Sequence, residues 1–267
     1  MKSLKLKDKL EEVRLVQVIL KELGYTVGID GDFGPNTLDA VKKYQTNKNI
    51  NPTGNVGDLT WEALLGDYKF NALSDQDYAE AAKVIGCEVA CIKAVKEVET
   101  GSAGAFLSNN MPTILFEGHI FWKQLKNVGL TPENYVAQYS DVLYPKWDRT
   151  KYKGGLKEYD RLEKAKQINV SAALASASYG FPQIMGFNYK TCGFSNVTSF
   201  VNEFYKGQKQ QLLAFVKFIK GSGLAKHLID KNWDSFARGY NGPEYKKNNY
   251  DVKLKTAYEK YVKKKTN

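Results

Sequence analysis

The chain has 267 residues, 43% apolar and 13% aromatic, which suffices for a large core and excludes a disordered chain. Its formal charge of +10 points to an anionic partner: nucleic acid, lipid head groups or bacterial wall polymers. No apolar run reaches the ~18–20 residues of a membrane span. With two histidines, three cysteines and neither an HExxH nor a CxxC motif, no metal or cofactor is expected.

The first segment, Met1-Lys2-Ser3-Leu4-Lys5, has no apolar signal region, so synthesis in a bacterial cytoplasm is expected. Val13, Val16, Gln17, Leu20 and Leu23 then trace one face of a helix that Gly24 ends. An internal repeat follows, Gly31-Asp32-Phe33-Gly34-Pro35-Asn36-Thr37 recurring as Gly54-Asn55-Val56-Gly57-Asp58-Leu59-Thr60 at an offset of 23 residues. Each copy delivers the chain into a helix, with Gly34 and Gly57 at the caps and Pro35 at a first helical position. Asp30-Gly31-Asp32 lacks the spacing of a calcium loop and reads as a turn. Residues 1–66 are thus a three-helix module and 67–74 a linker, after which a mainly helical domain fills 75–267 with at most a small β-hairpin.

That second domain opens with Ser74 and Asp77, a capping box. Val89, Ile92, Val95 and Glu99 next share one face of a helix that Thr100-Gly101 should end. Glu99 therefore stands at the negative pole of a helix among apolar neighbours, where its pKa should rise and a neutral carboxylic acid persist near pH 7. The plainer reading is a frayed surface glutamate. Glu97, with Lys93 one turn earlier, reads as solvated. Cys87 and Cys91, four apart on an expected helix, should be reduced thiols.

Further on, Glu117 and His119 interrupt the apolar run Pro112-Thr113-Ile114-Leu115-Phe116, the best candidate for extended structure. A charge there needs a partner, such as Arg149 or Arg161, or a chemical task. Helical patterns cover 158–165, 170–178, 197–204, 208–219, 225–229, 233–240 and 252–262. The turn Gly180-Phe181-Pro182-Gln183 presents an amide suited to a sugar acetamido group, and Tyr240-Asn241 sets an aromatic and an amide before a Gly-Pro stop.

The N-terminal stretch resembles the peptidoglycan-binding domain 1 family through Val16-Gln17, Leu23-Gly24-Tyr25, Asp30-Gly31-Asp32-Phe33-Gly34, Tyr44-Gln45, Val56-Gly57 and Thr60-Trp61. Residues 75–262 resemble the N-acetylmuramidase domain family of phage endolysins, within the lysozyme-like superfamily. That likeness runs through Glu97-Val98-Glu99-Thr100, Phe116-Glu117-Gly118-His119, Tyr159-Asp160-Arg161-Leu162, Gln183-Ile184-Met185-Gly186 and Ala237-Arg238-Gly239-Tyr240-Asn241-Gly242-Pro243.

The resemblances imply a modular muramidase of peptidoglycan, with Glu99 the acid and Glu117 a second carboxylate. They further imply Gln183, Tyr240, Asn241 and His119 as sugar contacts and Asp30, Phe33 and Tyr44 as the wall-binding module's candidates. A monomer acting on the wall after passage through a membrane pore is expected, with peptidoglycan as partner, no nucleic acid, and weak contact of the lysine-rich 252–265 helix with outer-membrane lipids as an option. That helix is more simply packed on the core through Leu254, Ala257, Tyr258 and Tyr261. A lytic transglycosylase using the same acid and a non-catalytic wall-binding protein are the alternatives.

Overall fold

The computed structural model describes residues 1–70, 72–100 and 104–266. The stop expected at Gly101 lies outside them. Three helices come first, α1 (Glu11–Glu22), α2 (Pro35–Asn47) and α3 (Asp58–Asp67), followed by α4 (Asp75–Ile85) and α5 (Val89–Thr100). Strand β1 (Ile114–Phe116) precedes α6 (Gly118–Asn127), α7 (Val136–Tyr139), α8 (Lys157–Lys166) and α9 (Val170–Ala175). The strands β2 (Ala177–Tyr179) and β3 (Ile184–Met185) lead into α10 (Val197–Lys206), α11 (Gln208–Gly221), α12 (Ala225–Ile229), α13 (Trp233–Asn241) and α14 (Tyr250–Thr266). The chain is mainly α, as the periodicity predicts.

The N-terminal repeat has a physical basis. Gln17 Nε2 donates to Asp30 Oδ1 (2.8 Å), the Asp32 carbonyl (2.9 Å) and Thr37 Oγ1 (3.0 Å), while its Oε1 accepts from the amides of Asp30 and Gly31. Gln45 repeats this on the second copy, reaching the Asn55 carbonyl (2.7 Å) and Thr60 Oγ1 (3.0 Å) and accepting from the Gly54 amide. Each turn is clamped by a buried amide from the preceding helix, which satisfies backbone groups that would otherwise be orphaned. Asp30 Oδ1 also accepts from the Asp32 amide at 2.8 Å, the Asx turn expected of this triplet. Phe33 and Tyr44 are each 1% exposed, and the Tyr44 hydroxyl donates to Asp67. They hold the core together; a ligand cannot reach their rings.

Helix α1 departs from its expected single face. Leu15, Val18 and Ile19 are as fully buried as Val13, Val16 and Leu20. A helix buried on every side is an interior one, and its polar members Glu11, Arg14 and Gln17 are buried with partners. Here it lies between α2 and α3 on one side and α10 on the other. At this seam the fully buried Glu11 carboxylate accepts from Arg14 Nε (2.7 Å), Lys166 Nζ (2.8 Å) and the Tyr205 hydroxyl (2.9 Å). Arg14 continues to Asn202 (2.5 Å), and Glu163 accepts from the Glu11 amide (2.7 Å). Burial alone would push the Glu11 carboxyl up, but Arg14 and Lys166 outweigh it and hold the pKa well below the carboxylate range. Burial and the Glu11 charge push Glu163 up to about 7. The stretch read as a linker is also engaged. The Tyr68 hydroxyl bonds the Lys206 carbonyl, and Phe70 packs on Phe106 with centroids 5.2 Å apart.

The sheet is slightly larger than a hairpin. β2 and β3 form the hairpin around the Gly180–Gln183 turn, and β1 adds to it antiparallel with Ile114 opposite Tyr179 and Phe116 opposite Ala177. Residues 177–178, expected to prolong a helix, are strand instead: α9 stops at Ala175. The small apolar run Ala172-Ala173-Leu174-Ala175 suits either state, and pairing with β1 decides the matter. Cys87 stands before α5 rather than on it; both thiols are free, and that of Cys91 donates to the Leu228 carbonyl at 3.6 Å.

Candidate active site

Helices α5 and α13 bring their C-termini together. Glu99 is the penultimate residue of α5 and Asn241 the last of α13, and Asn241 Nδ2 donates to Glu99 Oε1 at 2.9 Å. Two negative helix poles thus converge on one carboxyl, and α14 packs along α5 with Leu254 and Ala257 buried. Burial pushes the Glu99 pKa up to about 7, against the smaller lowering effect of the Asn241 amide. Asn241 Oδ1 is buried and has no partner among the described residues.

Tyr240 serves the frame. Its ring stacks on Phe236 (5.4 Å, 13°) and meets Phe215 and Phe218 edge-on, and its hydroxyl donates to the Pro182 carbonyl at 2.6 Å. That bond ties α13 to the β2–β3 turn. Gln183, at φ 46° in the left-handed region, turns its amide inward. Its Nε2 donates to the carbonyls of Gly180 (2.7 Å) and Thr113 (3.4 Å), and its Oε1 accepts from Ser178 Oγ (2.7 Å). Both amide hydrogens are engaged, so only the oxygen has capacity left for a ligand. Gly180 permits the turn twice over: its φ is 64°, and a Cβ there would sit 2.4 Å from Gln211 Oε1.

From Thr113 the chain continues along β1 to Glu117, the N-cap of α6. Glu117 is mostly buried, and its Oε2 accepts from the Tyr152 hydroxyl at 2.5 Å with His119 Nδ1 3.3 Å away. Burial raises its pKa, opposed by the Tyr152 bond and the charge of Arg161. His119 shifts the other way, held neutral by burial and by Lys123. The expected pairing with Arg161 is indirect: Arg161 bonds Glu158 (2.6 Å) and the Phe116 carbonyl (2.7 Å), which fixes the backbone next to Glu117. Gly118 is required here, since a Cβ would lie 2.3 Å from the Tyr144 ring.

Five site residues named from sequence therefore belong to one connected frame: Glu99, Asn241, Tyr240, Gln183 and, along β1, Glu117, with His119 at its side. Sequence reasoning missed Tyr152 and its neighbour Trp147, on a stretch without helical periodicity. An exposed tryptophan among lysines was the signal available. Glu97 is also corrected: it is bound by Lys260 (2.7 Å) and the Tyr261 hydroxyl (2.7 Å) on α14, and Lys93 reaches Asp75 (2.7 Å).

Both parts of the chain match known families, and the whole chain resembles a solved structure. A model of a putative peptidoglycan-binding domain matches residues 9–64. A crystal structure of a Burkholderia AP3 phage endolysin is similar with a TM-score of 0.67 and 35% identity, covering 98% of this chain and 100% of that one. An uncharacterized protein of Kitasatospora aureofaciens is 54% identical over 41 residues, 15% of this chain, and the match spans 33% of that relative's length. The N-acetylmuramidase family model matches residues 88–262, the part that carries Glu99, Glu117, Gln183 and Asn241, and the chain belongs to that family.

Proposed function

We propose that the protein is an endolysin that hydrolyses the β-1,4 bond between N-acetylmuramic acid and N-acetylglucosamine in peptidoglycan. The observation that carries this is the largely buried Glu99, its pKa pushed up to about 7 and its carboxyl oriented by Asn241. A carboxylic acid neutral at the working pH protonates the glycosidic oxygen as the C–O bond breaks. Glu117 is the second carboxylate: it faces the oxocarbenium-like carbon or takes the proton of the attacking water. In this reading Gln183 Oε1 and Asn241 Oδ1 accept from acetamido N–H groups, which is supported by the spare capacity of the first and the missing partner of the second. His119 acts beside Glu117 as a neutral neighbour.

The N-terminal helices hold the wall, with Asp30 the exposed member of the three residues named for that task. Phe33 and Tyr44 support it from within. Peptidoglycan is the partner of a monomer that reaches the wall through a pore made by another protein, and the exposed Lys253 and Lys255 of α14 allow weak contact with anionic lipid.

Mass spectrometry of digested peptidoglycan tests the reading. Reducing muramic ends are expected from the wild-type protein and none from Glu99→Gln. Anhydro-muramic ends reject hydrolysis in favour of transglycosylation, and wild-type-like digestion by the variant rejects Glu99 as the acid.

A further inference from the structure

Between α7 and α8 the chain runs through Lys146-Trp147-Asp148-Arg149-Thr150-Lys151-Tyr152-Lys153-Gly154-Gly155. Trp147 is 60% exposed, whereas Trp61 and Trp233 are buried and Trp122 is half-buried. An uncovered indole on a disordered loop would need no explanation. This loop is clamped, however. Glu158, itself locked by Arg161, accepts from the amides of Lys153 (2.6 Å) and Gly154 (2.9 Å). The Arg161 guanidinium lies 5.8 Å over the Tyr152 ring. The Trp147 indole N–H lies beside the Tyr152 hydroxyl, which donates to Glu117 at 2.5 Å. The clamped loop thus holds an exposed indole next to the tyrosine that contacts the second carboxylate.

We propose that Trp147 is a stacking platform for a pyranose ring of the glycan strand, a subsite adjoining Glu117. The axial C–H face of a sugar fits an electron-rich indole, and a ring carried on a clamped loop loses little freedom on binding. The charge around it agrees. Lys146, Arg149 and Lys153 are exposed and make no ion pair among the described residues, and Asp148 is engaged in capping Thr150 (2.9 Å). Cationic groups flanking the platform suit a strand that carries carboxylates on its muramic residues and peptide stems. Phe and Tyr cover less of a sugar than Trp, so replacement should be graded.

The subsite rests on the proposed action on peptidoglycan, but its test requires no bond cleavage. Peptide-free glycan strands of alternating N-acetylglucosamine and N-acetylmuramic acid are titrated into the full-length Glu99→Gln protein, followed by tryptophan emission and calorimetry. The expected result is a quenched, blue-shifted emission, lost when Trp147→Ala is added, with affinity at least tenfold weaker. Trp147→Phe should fall between the two, and Trp147→Ala should melt at the parent temperature. Equal affinity of the parent and the alanine variant overturns the subsite, as does failure of the Glu99→Gln protein to bind the strands. In the otherwise wild-type chain, Trp147→Ala should raise KM at nearly constant kcat; a fall in kcat alone overturns the stacking role. Absence of cleaved ends from wild-type digests would instead count against the proposed activity while leaving the binding result intact.

Discussion

Replacing Glu99 by glutamine should stabilise the folded chain at alkaline pH while abolishing lysis. The fold moves the Glu99 pKa from 4.5 to about 7, because a largely buried carboxyl beside two helix C-termini is held better neutral than charged. A raised carboxyl pKa means the native state binds the proton more tightly than the unfolded chain. Stability from this group is therefore full below pH 4.5 and is lost as pH rises through 7. The pKa change corresponds to at most about 3 kcal/mol. A glutamine in place of Glu99 is neutral at every pH and can give Asn241 Oδ1 the hydrogen bond it lacks.

Taking about 2.1 cal/mol/K of unfolding entropy per residue, 3 kcal/mol over the 267-residue chain is a Tm difference of about 5 °C. Scanning calorimetry of both proteins from pH 4 to pH 8.5 reads it. The two curves should coincide near pH 4, diverge between pH 4.5 and pH 7 and stay apart above it, the variant the more stable. A gap that does not widen with pH would refute the claim that the fold raises this pKa, whatever the lysis assay reports.

Asn241→Ala removes the one hydrogen bond that lowers the Glu99 pKa, so the alkaline limb of the lysis–pH profile should move upward; an unchanged or lower limb refutes it. Glu11→Gln leaves the buried Arg14 without its carboxylate and Lys166 with Glu163 alone, and urea titration at pH 7 should register a loss of about 3–5 kcal/mol. Since the Glu11 pKa is depressed, that difference should shrink as pH falls below the ordinary carboxylate range. Gly118→Ala sets a Cβ against the Tyr144 ring and the Val142 carbonyl, and should cost about 1–3 kcal/mol in thermal or urea unfolding.

Much of this was readable in the chain. The glycine-proline punctuation of the N-terminal turns and the apolar stripe leading to Glu99 each express a local rule, a cap or a helical period, and local rules survive folding. What was hidden depends on contacts distant in sequence. Leu15, Val18 and Ile19 look like ordinary aliphatic residues of one amphipathic helix until α10, nearly two hundred residues on, covers their side. Residues 177–178 have no strand signature of their own and become strand by pairing with β1. Gln183 and Tyr240 were legible as important but not in their observed tasks, because hydrogen bonds to Gly180 and Pro182 turn both inward. The Tyr152–Glu117 bond joins a loop to a helix cap through a hydroxyl that carries no spacing pattern.

The seam around Glu11 bears on how a wall is cut. Modules joined by slack chain let a catalytic half range over every bond within the tether's radius. Here α1 belongs to both halves and buried charges pin them in register. Anchor and blade then work like the jaws of a caliper. Wherever the N-terminal helices grip the mesh, the scissile bond lies at one set spacing and angle from that grip. Each further cut requires letting go, so release from the wall, as much as bond cleavage, would set the pace at which a cross-linked sacculus comes apart.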